Sequence, residues 1–185
     1  NSNIQEISSS LDNISCSDCK EPIVSHYKNK CKIKIDAVEE NFLTFLNINR
    51  MNRSEIETRN KQSEKYKKYT NIKYTFQKKI LSEFLSNISI KEPLGEILDL
   101  GTGIGPTPKL YFDKNYQKIS CIDFSIDSLL HNKRNINNSF KNVFWINSDI
   151  SKLYFAHNSY DLIVASDFIQ HINGHTRKLE IIKNL

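Results

Sequence analysis

Glycine stands at every second position of the turn Gly101, Gly103 and Gly105, directly after an apolar run, Glu96 to Leu100, that carries the acid Asp99. Lacking a Cβ, glycine takes positive φ readily and lets backbone amides approach a ligand that a side chain would exclude. The pattern predicts a buried strand that hands a nucleotide-like ligand to the helix behind it, with Thr102 inside the turn. A second acid, Asp123, closes the run SCIDFS 20 residues past Gly103, a placement suited to accepting hydrogen bonds from both hydroxyls of a ribose. A dinucleotide fingerprint would need G-x-G-x-x-G, its third glycine admitting close helix packing and its helix N-terminus facing a pyrophosphate. Counted from Gly101, that third position is Pro106, which has no amide hydrogen to give a phosphate. Nicotinamide binding is disfavoured on that spacing. The sequence has no G-x-x-x-x-G-K-[ST], which removes the simplest nucleoside triphosphate reading.

Cys16-x-x-Cys19 followed by Cys31 makes three quarters of a zinc-ribbon ligand set, with His26 available as a nitrogen donor. A fourth cysteine is missing from that set, so a decayed ribbon or unrelated thiols is the favoured reading and no metal is assigned. Cys121 falls inside a predicted strand, where a small apolar side chain suits a core.

The elements that must position these residues follow from hydrophobic pattern. Strand candidates beyond Glu96 run Ile97 to Leu100, Lys118 to Ile122, Val143 to Ile146 and Tyr160 to Ala165, with helical stretches between most of them. Pro106 suits a first helical turn, and Ser125 can cap a helix through Leu129 and Leu130. Alternating strands and helices imply an α/β fold, a Rossmann-like, doubly wound parallel sheet covered on both faces. In such sheets ligands bind beyond the carboxyl ends of the strands at the switch point, where the glycine turn lies.

The rest of the chain divides in two. Residues 1–54 read as a small, polar, weakly packed N-terminal module with one apolar cluster, Phe42, Leu43, Phe45, Leu46 and Ile48. Residues 55–95 read as a basic helical linker or cover, because Phe76, Ile80, Leu81, Phe84, Leu85 and Ile88 recur at three- to four-residue intervals. KEPLG then punctuates the chain before the main domain, 96–185. Arg59 to Lys79 holds eight Lys or Arg against Glu64 alone, interleaved with Tyr66, Tyr69 and Tyr74. A solvated helix face is preferred there over contact with nucleic acid. At 185 residues, with 38% hydrophobic and 25% charged content and a net charge of +5, the composition suits one globular domain with an appendage and excludes wholesale disorder. No apolar run approaches the roughly 20 residues that span a bilayer. The opening NSNIQEISSS lacks the order of a signal peptide, so a cytoplasmic protein with no membrane partner is expected.

Taken in order, LDLGTGIG, CIDFS, NSDI at Asn147 to Ile150 and YDLIVASDFIQHI make Glu96 to Leu185 resemble the first half of a class I S-adenosylmethionine-dependent methyltransferase of the small-molecule-modifying type. The resemblance implies that the turn Gly101, Thr102, Gly103 and Gly105 surrounds the methionine portion of S-adenosylmethionine, with Asp99 orienting its amino group. It implies that Asp123 holds the ribose, Asp149 accepts from the adenine amine, Phe124 and Ile150 line the ring, and Ser166 borders the methionyl end. An oxygen nucleophile would call for a general base, and His171 in DFIQHI is the nearest candidate.

The implied function is methyl transfer to a small-molecule acceptor by direct in-line displacement. A noncatalytic S-adenosylmethionine-binding or scaffold protein and a nicotinamide-dependent oxidoreductase remain as alternatives. The family continues with a fifth strand and an antiparallel pair. A sheet ending at its fourth strand predicts an open edge that a partner chain would complete, most simply because the chain is truncated.

Overall fold

A computed structural model of the chain describes residues 11–17, 19–23, 37–39, 42–44, 57–58, 61, 75–87, 94–104, 116–135 and 142–185. Gly105, Pro106, His26, Cys31, Tyr66 and Tyr69 lie outside them. The strands are β1 (Ile14–Cys16), β2 (Ala37–Glu39), β3 (Phe42–Thr44), β4 (Leu94–Leu100), β5 (Tyr116–Asp123), β6 (Val143–Asn147), β7 (Leu153–Phe155) and β8 (Leu162–Val164). We label the helix over residues 75–87 α1, Ile126–Asn135 α2 and His175–Lys183 α3.

Six strands form one sheet in the order β2-β3-β6-β5-β4-β8, and β1 and β7 form a separate antiparallel pair. Five neighbours, β3 through β8, run parallel, with β2 antiparallel at the far edge. The four expected strands are thus β4, β5, β6 and β8, and the sheet is α/β and Rossmann-like as their alternation with helices implied. Period-two alternation sorts their side chains between two faces. Ile97, Ile119, Cys121, Val143, Trp145 and Val164 lie with Phe42, Leu85 and Leu129 in one core. Leu98, Leu100, Ile122, Phe144 and Ile146 lie in the other.

Among the described residues, the second face is covered by strand and N-terminal segment as well as by helix. Leu11, Ile14, Cys16 and Ile23, all but fully buried, pack on it with Leu153 and Phe155 of β7 and Ile181 of α3. Each buried aliphatic side chain is worth about 1.5–3 kcal/mol, so the N-terminal segment contributes a substantial share of this core. Polar contacts fasten it further: Asn13 Nδ2 donates to Glu96 Oε2 at 3.0 Å, the Ala156 amide donates to the Asn13 carbonyl at 2.8 Å, and Lys118 pairs with Glu96. Phe42–Thr44, from the apolar cluster placed by sequence in the N-terminal module, adds to the β6 edge with Phe42 opposite Trp145.

Helix α1 turns a narrower face inward than its periodicity suggests. Leu85 is buried and Leu81 packs beside it, but Phe76, Ile80 and Phe84 stand 66%, 52% and 53% exposed. The three lie at four-residue spacing on one line of the helix, rotated about 100° from the Leu81–Leu85 line.

Candidate functional site

The turn after β4 is held by the strand beside it. Gly101 and Thr102 both donate their amides to the Ile122 carbonyl, at 2.8 and 3.1 Å, and the Thr102 hydroxyl donates to the Asp99 carbonyl at 3.1 Å. Gly101 and Gly103 take φ of +65° and +56°, the left-handed region glycine enters without penalty. At Gly101 the space that a Cβ would fill belongs to Phe168, whose Cδ2 would lie 2.3 Å from it. The missing side chain there makes room for the chain's own aromatic ring, where the sequence suggested room for a ligand.

Asp123 gathers the next loop. Its Oδ2 accepts the Gly103 amide and its Oδ1 the Ser125 amide, each at 2.7 Å. Ser125 then caps α2 as expected, accepting the Ser128 amide at 3.3 Å. Asp127 in the first turn and Lys133 and Arg134 in the last complement the helix dipole.

Asp99 lies on β4, 1% exposed, opposite Cys121 on β5 and Val164 on β8. Its Oδ2 is buried and has no hydrogen-bond partner among the described residues. Burial, and secondly the charge of Asp123, push the Asp99 carboxyl up to about 8, against a smaller opposing pull from the Thr102 hydroxyl. The same environment raises the Cys121 thiol, first by burial and then by the charge of Asp99.

The end of β6 meets Asp123 through two contacts, the Ser148 amide to the Asp123 carbonyl at 3.1 Å and Asn147 Nδ2 to the carbonyls of Asp123 and Phe124, both at 3.0 Å. Asp149 follows as the cap of a short 3-10 turn, Ile150–Lys152, its Oδ1 accepting the Ser151 amide at 3.0 Å. Arg177 on α3 also reaches it, Nη2 lying 3.1 Å from Asp149 Oδ2 and 3.1 Å from Ser151 Oγ. Ile150 is buried in the core, and Phe124 is half-buried. Ser166 is exposed just past β8. His171, also exposed, ends a 3-10 turn whose backbone it joins by donating its amide to the Phe168 carbonyl at 3.0 Å.

The fold therefore brings Asp99, Thr102, Gly103 and Asp123 into one hydrogen-bonded neighbourhood and sets Phe124 and Asp149 against its far side. Cys16 is 1% exposed inside an apolar core with Cys19 packed against it, and among the described residues no three His, Cys, Asp or Glu converge as metal ligands. Sequence reasoning passed over Asn132, whose Nδ2 donates to the Gly103 carbonyl at 2.6 Å, and over Asn147, Phe168 and Arg177. In a chain so rich in asparagine, a helical Asn stands out only through its burial.

Residues 97–184 match the model of a methyltransferase domain. A protein of Methanococcus maripaludis assigned as an S-adenosyl-L-methionine-dependent methyltransferase superposes with a TM-score of 0.54 at 18% identity, covering 70% of this chain and 57% of its own. The DhpI complex with SAM and HEP gives 0.53 at 15%, covering 71% and 57%. The plantazolicin methyltransferase BpumL, in complex with a monoazolic desmethylPZN analog and SAH, gives 0.50 at 19%, covering 74% and 56%. The chain thus spans little more than half the length of these structures, and identities this low speak to fold alone. No curated protein matches the sequence. Strand order and glycine turn agree with the match of residues 97–184 to a methyltransferase domain.

Proposed function

We propose that the protein binds S-adenosylmethionine at the carboxyl ends of β4, β5 and β6 and transfers its methyl group to a small-molecule acceptor by direct in-line displacement. The observation that carries this reading is the joining of the glycine turn to Asp123 beside a buried carboxyl oxygen of Asp99 that has no partner among the described residues. A ligand ammonium group supplies the donor that Asp99 Oδ2 needs, and ribose hydroxyls suit Asp123, which accepts amides from two loops at once. Gly101, Thr102 and Gly103 surround the methionine portion, and the same role is assigned to Gly105. Asp149 accepts from the adenine amine, Phe124 and Ile150 line the ring, and Ser166 borders the methionyl end.

A sulfonium supplies an already electrophilic methyl: the acceptor's lone pair forms the new bond while the carbon–sulfur pair returns to sulfur. The protein aligns the two partners, excludes water and takes the acceptor's proton where there is one. His171 is the base we assign for a hydroxyl acceptor. Its exposure at the end of its turn leaves it accessible to an arriving acceptor. Among the described residues no helix is long and apolar enough to cross a membrane, in keeping with a cytoplasmic setting. At β8, an edge strand with Ile163 exposed, a further strand or a partner chain would extend the sheet.

Calorimetric titration tests the reading. S-adenosylmethionine should bind and NAD should not. Binding without turnover of any acceptor by the full-length protein would favour a noncatalytic scaffold, and NAD binding alone would favour an oxidoreductase.

A further inference from the structure

The Gly103 peptide is gripped from both sides. Its amide goes to Asp123 Oδ2 at 2.7 Å and its carbonyl accepts from Asn132 Nδ2 at 2.6 Å, 29 residues away on α2. The first tie belongs to an acid already assigned to the ligand. The second comes from a residue whose side chain otherwise has no reason to be inside: Asn132 is buried on the stripe Ser128, Leu129, Asn132 that faces the sheet. Burying an amide without a bonded partner is costly, and this amide spends its donor on a turn carbonyl. Its orientation is unambiguous, because the flipped rotamer would set oxygen against oxygen.

A trans peptide is planar, so its carbonyl and the following amide point to opposite sides. With the Gly103 carbonyl drawn toward α2, the Ile104 amide faces away from that helix. Nothing intrinsic to the segment enforces this choice. Gly103 sits at φ +56°, and without a Cβ it tolerates a wide range of ψ at positive φ, so the 103–104 peptide could otherwise turn over. Turned over, it would present a carbonyl where it now presents an N–H.

We propose that Asn132 is a positioning residue for cofactor binding: its side-chain amide sets the orientation of the Gly103–Ile104 peptide, so that the turn offers the Ile104 amide hydrogen to the carboxylate of the cofactor's methionine end. The inference rests on the reading of this turn as the cofactor cradle. It adds a residue on the following helix that touches no ligand and acts through the backbone alone.

The test is titration with S-adenosylhomocysteine, read beside thermal unfolding. Asn132→Leu keeps the size and burial of the side chain and removes its donor. Asn132→Asp keeps the shape and, ionised, repels the carbonyl. Both should weaken binding by about tenfold or more, with Asn132→Leu unfolding close to the wild-type midpoint, a separation that a purely structural role would not produce. Folded variants that bind as tightly as wild type overturn the proposal and leave the cofactor reading intact. Absence of binding by the wild type removes that reading and the proposal together. Should neither variant fold, a crystal structure of the wild-type complex decides. Asn132 on the Gly103 carbonyl with the Ile104 amide toward the ligand supports the proposal, and a reversed peptide overturns it.

Discussion

At the scale of single residues, Asp99 carries the most consequential chemistry. Its folded value of about 8 lies above the ordinary 3.8, so the folded protein keeps a proton that the unfolded chain gives up across that window. Stability of the ligand-free protein contributed by this group is therefore present at low pH and lost as pH rises toward about 8, at about 1.4 kcal/mol for each pH unit crossed. Asp99→Asn has no such proton to lose. Urea midpoints at about pH 5 and about pH 8 should fall for wild type and stay nearly level for Asp99→Asn; equal slopes in the two proteins would show that burial does not hold the proton. The acids of the proposed site could be picked from the sequence because each lies at or just beside the end of an apolar run. Asn132 was not, because what distinguishes it is where α2 lies on the sheet, and that is set by Leu129 and its partners across the core.

Elements show where local pattern stops deciding structure. The helical period of residues 75–87 was plain, yet the buried line is Leu81–Leu85, and the larger stripe of Phe76, Ile80 and Phe84 faces outward. Periodicity fixes the existence of a face, and docking selects among neighbouring faces. The strand β3 was beyond reach for a related reason: three residues pairing in parallel with a partner some hundred residues away leave no local signature. The β4 turn is the element most open to test. Gly101→Ala imposes both a left-handed alanine and a clash with Phe168. It should cost at least about 1–3 kcal/mol in denaturant unfolding. Adding Phe168→Ala should return the steric part and leave the backbone part, so the double variant should be more stable than the sum of its singles predicts. Strict additivity would mean that Phe168 does not press on Gly101.

Over the whole molecule, two cores share one sheet, and the second is completed by residues from the far end of the chain. Composition marked the stretch before residue 55 as polar and loosely packed, but Leu11, Ile14 and Ile23 are buried against β4, β5 and β6. Ile14→Ala should destabilise the protein by about 2–5 kcal/mol. The single tryptophan, Trp145 in β6, reports on the sheet itself. Its fluorescence transition should move with the substitution, and an unmoved transition would mean that the N-terminal segment folds apart from the sheet. The same sheet carries the functional claim, because Asp99, Gly103 and Asp123 converge only once β4 and β5 are paired. That claim is met most directly by titrating S-adenosylmethionine into wild type and Asp123→Ala. Binding by wild type, weakened by about tenfold or more on removal of the carboxylate, is the predicted result; equal affinity in the two proteins, or none in wild type, would contradict it.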